Sequence, residues 1–154
     1  MTLETTFIFF TSIWFPAVCT IANPFLALIS RMLCHKRLGP ALWIACMSGA
    51  FRDVLLASPK VGILALSSLV SCRIAFAYVS LVTIEGIKGW LQVTAILALL
   101  DSLLSTFFCF VINPSTFHVP SWKALFLSVV FACMWTAGLY TIHVWRTKRA
   151  RRRT

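Results

Sequence analysis

The sequence predicts an all-α integral membrane protein, a polytopic bundle of six, or alternatively five, transmembrane helices with both termini in the cytoplasm. Of the 154 residues, 60% are hydrophobic and only 12% are charged, whereas a soluble domain is about 45–50% apolar and about 25% charged. The mean hydropathy is +0.90, and long apolar segments alternate with short loops. This composition excludes a soluble enzyme, a disordered chain and a disulfide-stapled secreted module.

Six apolar segments are predicted to form helices, because a hydrocarbon core of about 30 Å requires about 20 residues per helix. Turns containing proline, such as Ser58-Pro59 and Asn113-Pro114, separate them. A single transmembrane domain, residues 1–145, would hold spans at about 3–20, 24–34, 38–58, 61–83, 89–112 and 122–145. The Asn23-Pro24 turn divides the first two segments, and one kinked helix in their place would give five spans.

Basic residues set the predicted orientation. Six of the 14 Lys and Arg residues lie in the last nine positions, and positive charge beside a span marks its cytoplasmic side. We expect residues 146–154 to form a basic cytoplasmic tail that contacts anionic lipid headgroups, without a nucleic-acid partner. The tail residues in question are Arg146, Lys148, Arg149, Arg151, Arg152 and Arg153.

No motif in the chain indicates catalysis or a cofactor. The sequence lacks the GxSG, HExxH and GxGD motifs of intramembrane proteases and the glycine-rich loops that hold phosphates. The six cysteines are scattered through apolar segments, and no His/Cys spacing suits zinc. We therefore expect a non-enzymatic protein with reduced cysteines, no cofactor and no metal.

Charged residues inside the predicted spans are costly and call for partners. Four of them lie away from the ends of the spans: Arg52, Asp53, Arg73 and Asp101. Arg73 and Asp101 each lie near the middle of a span, which predicts an intramembrane ion pair between them. Arg52 would then extend to the outer interface, and Asp53 would bind a hydroxyl, a backbone group or water. An ion or proton pathway is the alternative role for these charges.

Small residues recur at helical spacing in the centre of the chain. Ala45, Gly49 and Asp53 lie at i, i+4 and i+8, on one helix face, and Gly62 and Ala65 begin the next segment. Such spacing allows another helix to approach closely. The face is either a docking surface for a partner protein or the internal packing surface of a helical hairpin.

The same stretch resembles the central hairpin of the rod-shape-determining MreD family. The resemblance rests on Gly49-x-x-x-Asp53, followed by Ser58-Pro59-x-x-Gly62-x-x-Ala65-Leu66. The turn at Asn23-Pro24 and the basic link 31–40 fit it as well, so that it covers residues 23–82. The chain would be a divergent member, since Ala45 stands where the family often has glycine and Arg52 beside the acidic residue is unusual.

The resemblance implies a multi-pass protein of the bacterial inner membrane that works in cell elongation and peptidoglycan synthesis. Its partners would be the membrane-anchored MreC and, more distantly, the cytoskeletal MreB and the RodA–transpeptidase complex. It would act by helix docking. The alternatives are a substrate-binding membrane subunit of a vitamin-type transporter, whose six-helix fold the family resembles, and an accessory subunit of an unrelated complex.

Overall fold

The computed structural model describes residues 23–55, 62–82, 84, 86–112, 114 and 122–151. These ranges hold five α-helices, which confirms the all-α prediction. The helices are α1 (Leu26–Cys34), α2 (Leu38–Leu55), α3 (Ile63–Leu81), α4 (Gly86–Ile112) and α5 (Trp122–Arg151). The predicted span at 3–20 and the turn at Ser58-Pro59 lie outside the described residues.

Three segments in the described ranges are long and apolar enough to cross a membrane. They are Ile63–Leu81, Gly86–Ile112 and Leu125–Trp145, with mean hydropathies of 1.7, 2.3 and 1.8. In contrast, α1 has nine residues, which rise about 13 Å and reach less than halfway across the core. The predicted segment 24–34 is therefore too short to be a span by itself.

The distribution of side chains supports a membrane setting. Large apolar residues such as Trp43, Leu103, Phe107 and Phe126 are 55–72% exposed. The interior instead contains many small and hydroxyl side chains, among them Ser67, Ser71 and Thr136. Helices pack in lipid through small and hydrogen-bonding residues, while their bulky apolar side chains face the acyl chains.

Consecutive helices of the bundle pack side by side. The most extensive contact is between α2 and α3, followed by α4 with α5 and α3 with α4. The short helix α1 packs against all four others, and its Ile29 and Leu33 lie fully buried in the main apolar cluster beside Cys72, Val93 and Leu97. The first helix is thus a central element of the core despite its length.

Two helices extend beyond the predicted spans. Helix α4 begins at Gly86, three residues before the predicted span, and α5 continues to Arg151, although the tail was expected to begin at residue 146. The extension contains Arg, Lys and Ala, which favour helix. Positive charge also interacts favourably with the carboxyl end of a helix.

Candidate functional site: the close-packed hairpin and its buried charges

The small residues of α2 form the packing surface between α2 and α3. Ala45 is fully buried and Gly49 is buried. A Cβ atom added to Gly49 would lie 2.3 Å from Ala65 Cα and 2.6 Å from both Ala65 N and Leu64 O. Real Cβ atoms essentially never approach other atoms this closely, so only glycine fits. Of the two roles left open for this face, the structure supports internal packing.

Asp53 binds the amino terminus of α3. Its Oδ2 accepts hydrogen bonds from the backbone N–H groups of Gly62 (2.9 Å) and Ala65 (3.3 Å), and its Oδ1 accepts one from Leu64 (3.2 Å). The first N–H groups of a helix have no partner within the helix, and the helix dipole favours negative charge there. Asp53 is only 1% exposed. Of the three partners expected for Asp53, which were a hydroxyl, a backbone group and water, the structure shows the backbone group. Asp53 therefore has a structural role.

Gly62 makes this arrangement sterically accessible. It precedes α3 with φ of +106°, a left-handed conformation that residues with a Cβ rarely adopt. The turn directs the Gly62 N–H towards the Asp53 carboxylate. Gly49, Asp53, Gly62 and Ala65 therefore belong to one contiguous structural unit.

Asp101 on α4 forms a buried ion pair with Arg52 on α2. The Arg52 Nη1 to Asp101 Oδ2 distance is 2.9 Å, and the two side chains are 11% and 5% exposed. Ser68 Oγ donates to Asp101 Oδ1 at 2.8 Å, and Ser67 Oγ lies 3.4 Å from the same oxygen. Arg52 Nε is the one buried side-chain nitrogen or oxygen in the described ranges without a hydrogen-bond partner. The network joins α2, α3 and α4.

The predicted pair between Arg73 and Asp101 is wrong. Arg73 is exposed, and Asp101 pairs with Arg52. Counted from the end of the bundle that holds Cys34, Leu81 and Gly86, Arg52 and Asp101 lie about 21 Å and about 22 Å along their helices, but Arg73 lies only about 12 Å along α3. The prediction from sequence paired residues that lie near the midpoints of their spans. Because the spans differ in length, their midpoints lie at different distances from the common end, and the match between Arg52 and Asp101 was missed. The expectation that Arg52 extends to the interface fails for the same reason.

A second buried network was not predicted from the sequence. Thr94 Oγ1 on α4 lies 2.8 Å from Ser30 Oγ on α1 and 2.9 Å from Thr136 Oγ1 on α5, and all three residues are 0% exposed. A further pair, Ser102 and Ser128, joins α4 to α5 with an Oγ–Oγ distance of 3.2 Å. These hydroxyl contacts hold α1, α4 and α5 together.

Basic and aromatic residues collect where α1 ends and α4 begins. Arg31 Nη2 lies 3.3 Å from His143 Nδ1, and the Trp90 ring packs against the rings of His35, Tyr140 and His143 at centroid distances of 5.2–6.0 Å. Partial burial, followed by the charges of Arg31, His143 and Arg37, lowers the pKa of His35 from its ordinary value of 6.5.

A cavity of about 260 Å³ opens at the same end of the bundle, and Lys36, Cys34 and Ser80 are among the residues that line it. Within the described ranges, no group of three His, Cys, Asp or Glu residues is arranged to hold a metal ion. The helix of the basic tail is described as far as Arg151, whereas Arg152 and Arg153 lie outside the described residues.

The buried charges of the described residues serve helix association. Both described carboxylates, Asp53 and Asp101, are fully engaged in holding helices together. Comparison with known proteins adds no relative: no family model, no curated protein and no solved structure gives a significant match.

Proposed function

We propose that this chain is a non-enzymatic, multi-pass component of the bacterial inner membrane that works in the cell-elongation machinery, as a divergent protein of the MreD type. Its partners would be an MreC protein and, more distantly, MreB and the RodA–transpeptidase complex. Of the two span counts, the five-span arrangement belongs to this proposal, because α1 alone is too short to cross the core. The carboxyl terminus would be cytoplasmic, with anionic lipid at the basic end.

One observation carries the proposal. The residues on which the resemblance depends contact each other: Gly49 packs on the Ala65 backbone, and Asp53 binds the N–H groups of Gly62 and Ala65. A chance match between residues scattered along the sequence would not require these residues to contact each other. The spacing is therefore explained by a hairpin in which glycine, carboxylate and turn depend on each other.

The positive charge of the bundle supports the orientation in this proposal. Arg31, Lys36, Arg37 and Lys88 lie at the end where α5 continues into the tail. Trp90 and Tyr140 lie at the same end, as expected for aromatic side chains at a membrane interface. Since cytoplasmic loops carry the excess of Lys and Arg, this end would face the cytoplasm.

The alternative, a substrate-binding subunit of a vitamin-type transporter, would need polar side chains directed at a ligand. Asp53, the charged residue nearest the turn among the described residues of the hairpin, instead binds the backbone of α3. Co-expression distinguishes the two proposals. We expect the tagged full chain to co-purify in mild detergent with the MreC protein encoded in the same genome. Co-purification with a transporter ATPase in its place, or no association of the folded chain with MreC, would overturn the proposal.

A further inference from the structure

Within the described residues, Arg73 forms no ion pair. It lies about 12 Å from the Leu81 end of α3 and about 15 Å from the Ile63 end, close to the middle of a segment that is long and apolar enough to cross a membrane. A charge at the centre of a transmembrane helix is costly unless it is paired or hydrated. Its side chain is nevertheless exposed.

The described carboxylates are not available to Arg73. Asp53 is 1% exposed and binds the amino terminus of α3, and Asp101 is 3% exposed and pairs with Arg52. The neighbouring helices α1, α2 and α4 pack on the other side of α3, where Ser67, Ser71 and Cys72 are buried. The exposed side therefore presents Arg73 outwards.

Exposed side chains on the same face of α3 as Arg73 form a stripe. At 100° per residue its members lie within a sector of about 120°. The stripe combines apolar residues with two small ones beside the charge, a composition that lets a second helix approach. We call it the Arg73 stripe; it consists of Leu66, Arg73, Ile74, Ala77, Ser80 and Leu81.

We propose that the Arg73 stripe is a docking surface for a transmembrane helix of another membrane protein, one that carries an aspartate or glutamate level with Arg73. Charge complementarity selects this occupant. A second copy of the chain would place two arginines together, and its described carboxylates are buried. An extended arginine side chain spans only about half of the 12 Å between Arg73 and the nearer end of α3. The guanidinium group therefore stays within the hydrocarbon core, and lipid headgroups alone do not satisfy it.

This inference rests on the proposed function only in taking the chain to work beside other membrane proteins, and its test does not depend on the partner's identity. The probe is a synthetic single-span peptide of leucine and alanine with one central aspartate. A matched peptide has leucine at that position, and a third has lysine. The full-length protein, labelled at its carboxyl terminus, is reconstituted with each labelled peptide in phosphatidylcholine vesicles at pH 8, and association is measured by energy transfer.

We expect the aspartate peptide to associate about tenfold more tightly than the leucine peptide, in line with measured polar contacts between membrane helices. Arg73→Leu should abolish this preference, and Arg73→Glu should transfer it to the lysine peptide. Lys123→Leu, which removes an exposed charge at the start of α5, is the matched control and should keep it.

Equal association of the aspartate and leucine peptides would overturn the proposal, because lipid, water or another part of the chain would then satisfy Arg73. Energy transfer between two labelled copies of the full-length protein would also overturn the proposal if Arg73→Leu abolishes that transfer. The Arg73 stripe would then bind a second copy of the chain. Since MreC plays no part in these vesicles, failure here leaves the co-purification result unaffected.

Discussion

The close approach of α2 to α3 can be tested with a single methyl group, in the variant Gly49→Ala. The added Cβ would lie 2.3 Å from Ala65 Cα, whereas ordinary van der Waals contact begins at 3.4 Å. Relief requires a displacement of about 1 Å. All three nearest atoms belong to the backbone of Leu64 and Ala65, so no side chain can rotate away and the helices themselves have to separate.

The energetic cost of Gly49→Ala has two opposing parts. Overpacking costs about 1–3 kcal/mol, and separation of the helices also lengthens the hydrogen bonds of Asp53 to α3, each contributing about 1 kcal/mol. Alanine returns up to about 1 kcal/mol through its higher helix propensity. The net expectation is a loss of about 2 kcal/mol in the free energy of unfolding.

The assay is equilibrium unfolding of the purified full chain in mixed micelles with increasing sodium dodecyl sulfate, followed by circular dichroism. Gly138→Ala provides the matched control, because a Cβ atom at Gly138 on α5 meets nothing within 4 Å. That variant should be as stable as the wild type or slightly more stable. A Gly49→Ala protein with wild-type stability, or an equal loss in both variants, would refute the close-packing argument.

Three further predictions use the same unfolding assay or a titration. Arg52→Leu and Asp101→Leu should each cost about 3 kcal/mol, and the double variant should cost clearly less than their sum because a lone buried charge is the main penalty; additive losses would refute the pair. Asp53→Asn should cost about 1–2 kcal/mol, because both carboxylate oxygens accept backbone N–H bonds and the amide nitrogen that replaces one of them can only donate; wild-type stability would exclude the cap. Because the pKa of His35 is lowered in the folded protein, the unfolded chain takes up a proton first as the pH falls. The free energy of unfolding that is present above pH 6.5 should therefore decline as the pH falls through the folded-state pKa. An NMR titration should find that pKa below 6.5 and raised by Arg37→Gln; a value at or above 6.5 would contradict the structure.

The hairpin could be predicted because its signal is local. Gly49 and Asp53 are separated by one helical turn, and the turn residue Gly62 follows soon after, so that spacing alone brings them to one face. Sequence could not decide between internal packing and docking, because both require small residues at the same spacing. The distance between the Gly49 Cβ position and the Ala65 backbone makes that distinction.

The ion pair and the hydroxyl network depend on relations between helices that spacing does not contain. Arg52 pairs with Asp101 because the two helices start at a common end, whereas span midpoints pointed to Arg73. Thr94 and Thr136 also lie within hydrogen-bond distance of carbonyls in their own helices, Trp90 O at 2.8 Å and Ala132 O at 3.0 Å. A buried hydroxyl that can satisfy itself locally gives no indication in the sequence that it also contacts another helix.

The orientation of the bundle across the membrane can be measured directly. Single cysteines at Lys36 and at Lys123, each in a full chain whose six native cysteines are replaced and whose folding is verified, are exposed to a membrane-impermeant maleimide on intact cells. The account predicts labelling at position 123 before permeabilisation and at position 36 only after it. Labelling of both positions on intact cells, or the reverse order, would contradict a membrane-spanning bundle with its basic end in the cytoplasm.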